Sequence, residues 1–299
     1  MKIVVSGASG LIGNALARDW MAAGHDVVRL VRKATPEMRG TALWNPEAGQ
    51  LNPSVFDGAD AVLHLSGENI AQGRWTAARK IRIRESRIRT TECVVRALLQ
   101  AATPPKSFLC ASAIGYYGSR GDENLTEASA PGQGFLAEVC QAWEAATKPA
   151  SDRGIRVANL RFGMVLSAEG GALQAMLPPF KLGVGGVIGR GTQYMSWIAI
   201  DDLVNAVRAV LDDTSLSGPI NVVSPNPVTN AAFTKSLGRV LRRPTIVPMP
   251  AWGVRLLFGE VADALLLASQ RVEPARLLAA GCMFHFADIE AVLRRYANP

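Results

Sequence analysis

Cysteine and histidine are scarce in this sequence, which limits the kinds of site it can build. The 299 residues include four cysteines and three histidines. Cys93, Cys110, Cys140 and Cys282 lie far apart without a Cys-x-x-Cys pair, and the histidines form no cluster. We therefore predict neither a disulfide framework nor a metal site. Such cysteine usage fits the reducing cytoplasm best.

The sequence also has no long apolar run and no visible secretion signal. No stretch approaches the roughly 20 uninterrupted apolar residues that span a bilayer. The N-terminal text, MKIVVSGASGLIG, runs directly into an apolar segment and a glycine-rich loop. We therefore expect a cytoplasmic protein with no membrane partner.

The net charge of +7 is not concentrated in one block of the sequence. The densest basic run, from Arg79 to Arg96, falls on a predicted helix. Helical spacing turns some of these side chains to solvent and others toward an anionic ligand. We therefore predict no nucleic-acid partner.

Short apolar runs alternate with longer amphipathic stretches along most of the chain. The runs that predict strands cover 2–6, 26–31, 60–66, 106–112, 155–161 and 219–224, and the stretches that predict helices cover 11–23, 75–101, 135–148 and 201–212. This alternation predicts an α/β fold, a Rossmann-type doubly wound parallel sheet with a smaller C-terminal lobe. We assign 1–164 plus 198–223 to the dinucleotide-binding domain and 165–197 plus 224–299 to the smaller, substrate-side lobe.

Three glycines in VSGASGLIG follow the first strand and begin the first helix. Gly7 suits a tight turn, Gly10 lets the backbone approach a pyrophosphate, and Gly13 lets the helix pack closely on the sheet. The exposed amides of the loop and of the first helical turn then face the phosphates. The residues predicted to form this cofactor loop are Gly7, Ser9, Gly10, Leu11, Ile12 and Gly13.

The end of the second strand predicts which nicotinamide cofactor is preferred. An acidic residue at this place bonds the free ribose hydroxyls of NAD and repels a 2′-phosphate. The strand DVVRLV is followed by Arg32 and Lys33, and neither is acidic. We therefore predict that NADP(H) is preferred over NAD(H).

The chain resembles the extended short-chain dehydrogenase/reductase superfamily, and within it an atypical group of NAD-dependent epimerase/dehydratase-like proteins with a small extra C-terminal domain. The resemblance runs the full length, through GASGLIG, DAVLHLSGENIAQGRW, ASAIGYYG, FLAEVCQAWE, LRFGMVLSAEGGAL, GTQYMSWIAIDDL and SQRVEPARLLAAGCMF. It implies a homodimer paired through the long helix at 75–101. It also implies further cofactor contacts from Leu65, Ser66, Gly67, Arg87, Ala111, Ser112, Arg161, Phe162 and Gly163.

The superfamily's usual catalytic pair is absent. Members carry a tyrosine that transfers a proton and, four residues later, a lysine that lowers the pKa of that tyrosine. Here the tyrosine position falls on Phe135 or Leu136, and the lysine position falls on Val139 or Cys140. Neither leucine nor phenylalanine can donate a proton.

Other side chains are candidates for the missing chemistry. Ser112 occupies the superfamily's serine position, although an alignment on the YYG motif puts Ala113 there. Arg87 stands where the superfamily often has an asparagine and could stabilise an oxyanion. The candidate catalytic residues are Ser112, Arg87, Tyr117, Glu68 and Cys140.

Several other conspicuous residues carry structural expectations. His64 is predicted to be a core histidine and Trp197 to pack against the cofactor lobe. Asp201 or Asp202 is predicted to cap the following helix. Arg190, in a glycine-rich segment, could meet an anionic substrate group.

Two functions fit this sequence. The first is an NADP(H)-dependent oxidoreductase or epimerase that acts on a small substrate and uses an acid other than tyrosine. The alternative is a catalytically silent NADP(H)-binding sensor or regulatory scaffold.

Overall fold

A computed structural model describes residues 1–33 and 40–297. Its strands are β1 (Lys2–Ser6), β2 (Asp26–Val31), β3 (Thr41–Asn45), β4 (Gln50–Leu51), β5 (Ala61–His64), β6 (Ser107–Ala113), β7 (Asn124–Leu125), β8 (Arg156–Phe162), β9 (Met164–Leu166), β10 (Tyr194–Met195), β11 (Trp197–Ala199), β12 (Gly218–Val222), β13 (Val228–Thr229) and β14 (Arg271–Val272). The six strands predicted from the sequence are all present, with ends shifted by at most two residues.

The central sheet has eight strands in the order β12-β8-β6-β5-β1-β2-β3-β4. All neighbours are parallel except β3 and β4. The buried strands β1 and β5 are apolar on both faces, as expected for a parallel sheet covered by helices on each side. The predicted doubly wound sheet is therefore confirmed.

The helices are α1 (Leu11–Ala22), α2 (Ala77–Gln100), α3 (Phe135–Ala145), α4 (Lys148–Asp152), α5 (Gly171–Lys181), α6 (Ile200–Asp212), α7 (Asn230–Leu241), α8 (Ala251–Phe258), α9 (Ala275–Ala279) and α10 (Ile289–Ala297). Short 3-10 turns lie at Pro53–Phe56 and Ile114–Tyr117, and a π-helical turn lies at Ala262–Leu266. Helix α1 packs with α6, while α2 packs with α3 and α4. In the described residues no helix is long and apolar enough to cross a membrane.

The N-termini of α2 and α6 are stabilised differently. The Thr76 hydroxyl caps α2 by accepting from the Arg79 amide at 3.2 Å. Helix α6 begins after Ala199 without a side-chain cap, so the predicted capping by Asp201 or Asp202 is wrong. The Asp202 carboxylate instead accepts from two amides of the 285–286 segment at 2.9 Å each, because that segment folds back over the helix.

The helices that follow the sheet share its core. Phe233 and Leu237 of α7, with Val292 and Leu293 of α10, are fully buried in the same apolar cluster as the sheet. Helices α7 and α10 pack on each other. The chain after residue 224 therefore supplies part of the main core.

Candidate functional site

The glycine loop between β1 and α1 has the close contacts that only glycine permits. Gly7 adopts a φ of 72°, and a Cβ there would lie 2.9 Å from the Leu65 carbonyl carbon. A Cβ on Gly13 would lie 2.3 Å from the Gly7 carbonyl oxygen. The loop therefore packs against the end of β5 and beneath the first turn of α1.

This loop leaves backbone donors available to an anion. Gly10 is the N-cap of α1 and makes no side-chain capping bond. The first amides of the helix, including those of Leu11 and Ile12, have no intrahelical acceptor. Ser9 and Gly10 are exposed, so the positive end of the helix dipole is open to solvent. The donor set fits a pyrophosphate.

Two cations follow β2 at the same edge of the sheet. Arg32 and Lys33 are exposed, and no acidic residue lies between the end of β2 and residue 33. Both side chains could donate to a 2′-phosphate, and the described residues that directly follow β2 include no carboxylate.

Arg87 lies across the segment that follows β5. Its Nη2 donates to the Glu68 carbonyl at 3.0 Å, and its Nη1 donates to the Ile83 carbonyl at 3.0 Å. The guanidinium also stacks 5.1 Å from the Trp143 ring centroid. A Cβ on Gly67 would lie 3.4 Å from the guanidinium carbon, so the side chain of Arg87 packs directly against this segment.

Burial weakens the preference of Arg87 for its charged form. Desolvation lowers the pKa of this guanidinium, while Cys140 and Glu68 raise it in part. An arginine remains cationic under these conditions. Arg87 therefore supplies a fixed positive charge at the carboxyl edge of β5, near the predicted cofactor contacts Leu65, Ser66 and Gly67.

Ser112 faces away from solvent and is part of a buried ion-pair network. Its hydroxyl donates to the Glu144 carboxylate at 2.6 Å. The same carboxylate accepts two hydrogen bonds of 2.8 Å each from the Arg161 guanidinium. Burial acts to lower the pKa of Arg161, but bonding to Glu144 outweighs it and leaves that pKa raised. The alternative position, Ala113, has no hydroxyl.

Tyr117 closes the other end of this network. It is fully buried, accepts from Arg161 Nη1 at 2.9 Å and donates to Asn221 Oδ1 at 2.7 Å. Burial raises its pKa, and Arg161 offsets part of that rise. The Arg161 guanidinium also lies 3.5 Å from the ring centroid of Tyr116. Both partners of the Tyr117 hydroxyl are thus protein groups.

The structure distinguishes between the two alignments of α3. A Cβ on Gly115 would lie 3.3 Å from Leu136 Cβ and 3.7 Å from Cys140 Sγ. Leu136 and Cys140 therefore face the 114–117 turn, one helical turn apart. Phe135 instead packs against the Trp75 ring, with centroids 5.2 Å apart. The pair that stands beside the turn is a leucine and a cysteine.

Cys140 is poorly suited to proton transfer near neutral pH. Its side chain is buried, and burial together with Glu144 raises the thiol pKa to about 12, against smaller opposing effects from Arg87 and Arg161. A thiol with this pKa is almost wholly protonated at neutral pH and is a weak nucleophile.

Glu68 is also committed to protein partners. Its carboxylate forms an ion pair with Arg79, and Arg82 lies 3.5 Å away. Its amide donates to the Ser86 hydroxyl at 3.0 Å. Neighbouring Asn69 is exposed and turns its side chain back to the Ala71 amide at 2.8 Å.

The remaining candidates divide between the core and the surface. His64 is fully buried between the Ser6 and Thr90 hydroxyls, at 2.6 and 3.2 Å, and burial lowers its pKa to about 3. Trp197 is fully buried and donates to the Asn226 carbonyl. Arg190 is exposed.

Two strand-end residues predicted to contact the cofactor have structural roles. Arg161 is 2% exposed and bonded as described above. A Cβ on Gly163 would lie 2.7 Å from the Ser196 carbonyl oxygen, so this glycine permits close packing of β9 and β11. Neighbouring Phe162 and Ala111 are buried.

Sequence reasoning missed Glu144 and Asn221, which hold this network together. Asn221 is fully buried; its Nδ2 donates to the Glu273 carbonyl and its amide donates to Glu127 Oε1. The Glu144 carboxylate accepts hydrogen bonds from both the Ser112 hydroxyl and the Arg161 guanidinium. The sequence signal that could have identified Glu144 is its position four residues after Cys140, which places it on the same helix face.

Fold and site together define a dinucleotide-binding protein of the extended short-chain dehydrogenase/reductase type. The match to the NAD dependent epimerase/dehydratase family model covers residues 3–223, and residues 249–296 match a domain of unknown function, DUF1731. The chain belongs to the NAD-dependent epimerase/dehydratase family.

Its relatives are spread across bacteria and animals. An epimerase family protein of Mycobacterium tuberculosis is 45% identical over 97% of this chain and 96% of its own length. The structure of the human epimerase family protein SDR39U1, solved with NADPH, is 34% identical with a TM-score of 0.91 over 99% of both chains. A UDP-N-acetylglucosamine 4-epimerase of Bacillus cereus is 15% identical with a TM-score of 0.77, a likeness of fold alone.

Proposed function

We propose that this protein binds NADP(H) as a regulatory ligand in the cleft at the carboxyl edge of the sheet. Occupancy of this cleft by the cofactor would be the signal. The observation that carries the proposal is the contrast within the cleft. Donors for the pyrophosphate and the 2′-phosphate are open to solvent at Gly10 and Arg32. The groups nominated for chemistry are instead buried or bonded to other protein groups.

The absence of a side-chain acid supports this assignment. Leu136 stands at the tyrosine position and has no proton to give. The hydroxyls of Ser112 and Tyr117 already donate hydrogen bonds to Glu144 and Asn221. A reduction at a carbonyl carbon needs a proton donor within hydrogen-bond reach of the oxygen.

Packing from the predicted substrate-side lobe (165–197 plus 224–299), which we call the outer lobe, supports it further. Val261, Ala264 and Leu265 pack in one apolar cluster with Phe135 and Leu136. This cluster covers the part of α3 where a substrate would meet the superfamily's tyrosine. This packing joins the lobe to α3, and the proposal requires that the contact shift when the cofactor binds or changes its redox state.

A second candidate function is an oxidoreductase or epimerase that acts on a small anionic substrate. The observation that favours it is Arg87, a half-buried cation fixed by two hydrogen bonds at the carboxyl edge of β5. Such a group can stabilise an oxyanion. When bound, the nicotinamide would supply the hydride chemistry, and this chain would supply orientation and charge.

One experiment separates the two functions. The protein loaded with NADPH is exposed to a fractionated metabolite extract while the reduced-nicotinamide absorbance and product masses are followed. We expect tight binding without oxidation in every fraction, and different affinities for NADPH and NADP⁺ by calorimetry. Oxidation coupled to one mass shift, and lost in Arg87→Lys, would establish the enzyme instead.

We also propose that NADP(H) is preferred over NAD(H) through Arg32. Arg32→Ala should weaken NADPH binding by about tenfold, since a charge-assisted bond to the 2′-phosphate is lost. NADH affinity should change by less than about twofold. Calorimetric titration of both cofactors checks this, and an equal loss for both would contradict the assignment.

Assembly through α2 and a cytoplasmic location remain proposals. Ile81, which is 56% exposed on α2, gives that helix an apolar contact for a second copy. Sedimentation velocity at micromolar concentration should give the mass of a dimer, and Ile81→Glu should give the mass of a monomer. A monomeric wild-type protein would contradict the proposal.

A further inference from the structure

Exposed apolar side chains are concentrated just after α5 and in and just before α8. Of the fourteen large apolar residues that are exposed in the described part of the chain, eight fall in three short segments. We call this set the apolar face, and it consists of Leu182, Val184, Ile246, Val247, Trp252, Leu256, Leu257 and Phe258. Contiguous exposed apolar patches often mark interaction sites.

Backbone pairing brings these segments side by side. Gly186 forms an antiparallel bridge with Ile246, and Ile188 forms a parallel bridge with Met249. Helix α8 begins two residues after Met249. Trp252 and Leu256 lie one turn apart on its outer side, and they are 71% and 68% exposed.

The helix that carries the centre of this face is anchored. Arg74 donates to the carbonyls of Leu256 and Leu257, and Val254 is buried beneath the helix. Arg255 forms an ion pair of 2.9 Å with Asp263. The exposed apolar side chains of α8 therefore project from a backbone that these contacts hold in place.

Unpaired cations lie next to the apolar face in the sequence. Lys181 precedes Leu182, and Arg242 and Arg243 precede Ile246 within four residues. Within the described ranges no carboxylate lies within ion-pair distance of these three side chains. A groove of about 420 Å³ beside them is lined by Lys235, Arg239, Arg242, Arg243 and neighbouring backbone.

Adjacent apolar and cationic side chains match the chemistry of an anionic lipid surface. Tryptophan and leucine insert at the boundary between headgroups and acyl chains, while lysine and arginine meet the phosphates. An anionic bilayer would neutralise these unpaired cations, whereas a second copy of the chain carries the same net charge of +7. Charge complementarity therefore favours lipid over a second copy of the chain.

We propose that the apolar face is a peripheral docking site for an anionic lipid bilayer. The outer lobe would rest on the headgroups without crossing the membrane, which agrees with the lack of a spanning helix in the described residues. This inference departs from the sequence expectation of no membrane partner and does not depend on the proposed function of the cofactor cleft.

Trp252 provides an intrinsic probe for this contact. The other five tryptophans, Trp20, Trp44, Trp75, Trp143 and Trp197, are at most 8% exposed. The full-length protein is titrated with vesicles of phosphatidylcholine containing about one-third phosphatidylglycerol, and with vesicles of phosphatidylcholine alone. We expect a blue shift of the tryptophan emission and co-flotation with the anionic vesicles only, both reduced by high salt.

Matched variants test both parts of the surface. Trp252→Ser with Leu256→Ser, and separately Arg242→Ser with Arg243→Ser, should each reduce vesicle binding at least about tenfold. Met283→Ser is the control, because Met283 is equally exposed at 71% and lies outside the apolar face. Circular dichroism establishes that each variant is folded.

Three outcomes would overturn the proposal. The first is no flotation of the wild-type protein with anionic vesicles. The second is flotation that the Trp252 and Arg242 variants leave unchanged. The third is self-association without lipid that Trp252→Ser abolishes, because the face would then be an interface between copies of the chain.

Discussion

The two halves of the carboxyl edge of the sheet differ in what they offer a ligand. At the β1–α1 loop, glycines and unpaired amides form an open surface, with Gly10 exposed at the helix N-terminus. At the end of β6, the polar side chains bond one another, and Ser112 and Tyr117 are at most 2% exposed. We call the first the open half, because its hydrogen-bond donors are exposed. We call the second the closed half, because its polar side chains are buried and bonded to one another.

This difference shows that a Rossmann fold can keep its glycine loop while the superfamily's tyrosine and lysine are absent. Cofactor binding depends on backbone geometry, which three glycines secure. Proton transfer depends on individual side chains, and here leucine and cysteine stand beside the 114–117 turn. Fold alone therefore does not determine the activity.

The largest expected effect concerns the buried network in the closed half. Arg161→Met should lower the free energy of unfolding by about 3–5 kcal/mol, because Glu144 would remain buried without its cation. Urea unfolding monitored by tryptophan fluorescence measures this. The double variant Arg161→Met with Glu144→Leu should recover most of the loss. A single-variant loss below about 1 kcal/mol would mean that the closed half is not held by this pair.

The open half is tested by Gly10→Val, which should lower NADPH affinity about 100-fold. A side chain here occupies the space that the pyrophosphate needs. Its Cβ would meet only the Gly7 carbonyl oxygen, at 3.4 Å, so the unliganded fold tolerates it. Calorimetry gives the affinity, and the unliganded melting temperature is the control. Wild-type affinity in this variant would show that the cofactor binds elsewhere.

The third prediction concerns His64, which lies between the two halves at the end of β5. Its folded pKa of about 3 is below the usual 6.5, so the unfolded state binds the proton first. The stability it contributes is present above about pH 6.5 and is lost as the pH falls toward 3. From pH 6.5 to 5 we expect a loss of about 2 kcal/mol.

Denaturant unfolding across this pH range measures the contribution of His64. His64→Asn should be less stable at neutral pH but should show a flatter dependence on pH, because the titrating group is gone. An unchanged slope in the variant would assign the acid sensitivity to other groups.

The smallest expected effect comes from Cys140→Ala. Removing the thiol should cost about 1 kcal/mol of stability and leave NADPH affinity within about twofold, because the side chain only packs beside the turn. Thermal unfolding and calorimetry check the two values. A cofactor affinity reduced tenfold or more would mean that the closed half contributes to binding after all.

The parallel sheet was predictable because its strands are local apolar runs between breakers. The glycine loop was predictable because its three glycines stand at a fixed spacing between a strand and a helix, although the close contact of Gly7 with Leu65 is made only in the folded chain. Strand β3 was not predicted, and its partner β2 lies across a segment, 34–39, that is outside the described residues. The capping prediction for Asp202 failed because its partners are more than 80 residues away in sequence.

The sequence by itself determined the doubly wound fold, the nucleotide loop and the absence of the tyrosine and lysine pair. Only the tertiary structure decided which side chains replace that pair, since the alignment of α3 depends on which face meets the 114–117 turn. It also decided the roles of Ser112, Glu144 and Arg161, which come from three separate elements. Local spacing fixes helices and strands, whereas hydrogen bonds between distant elements depend on how those elements pack.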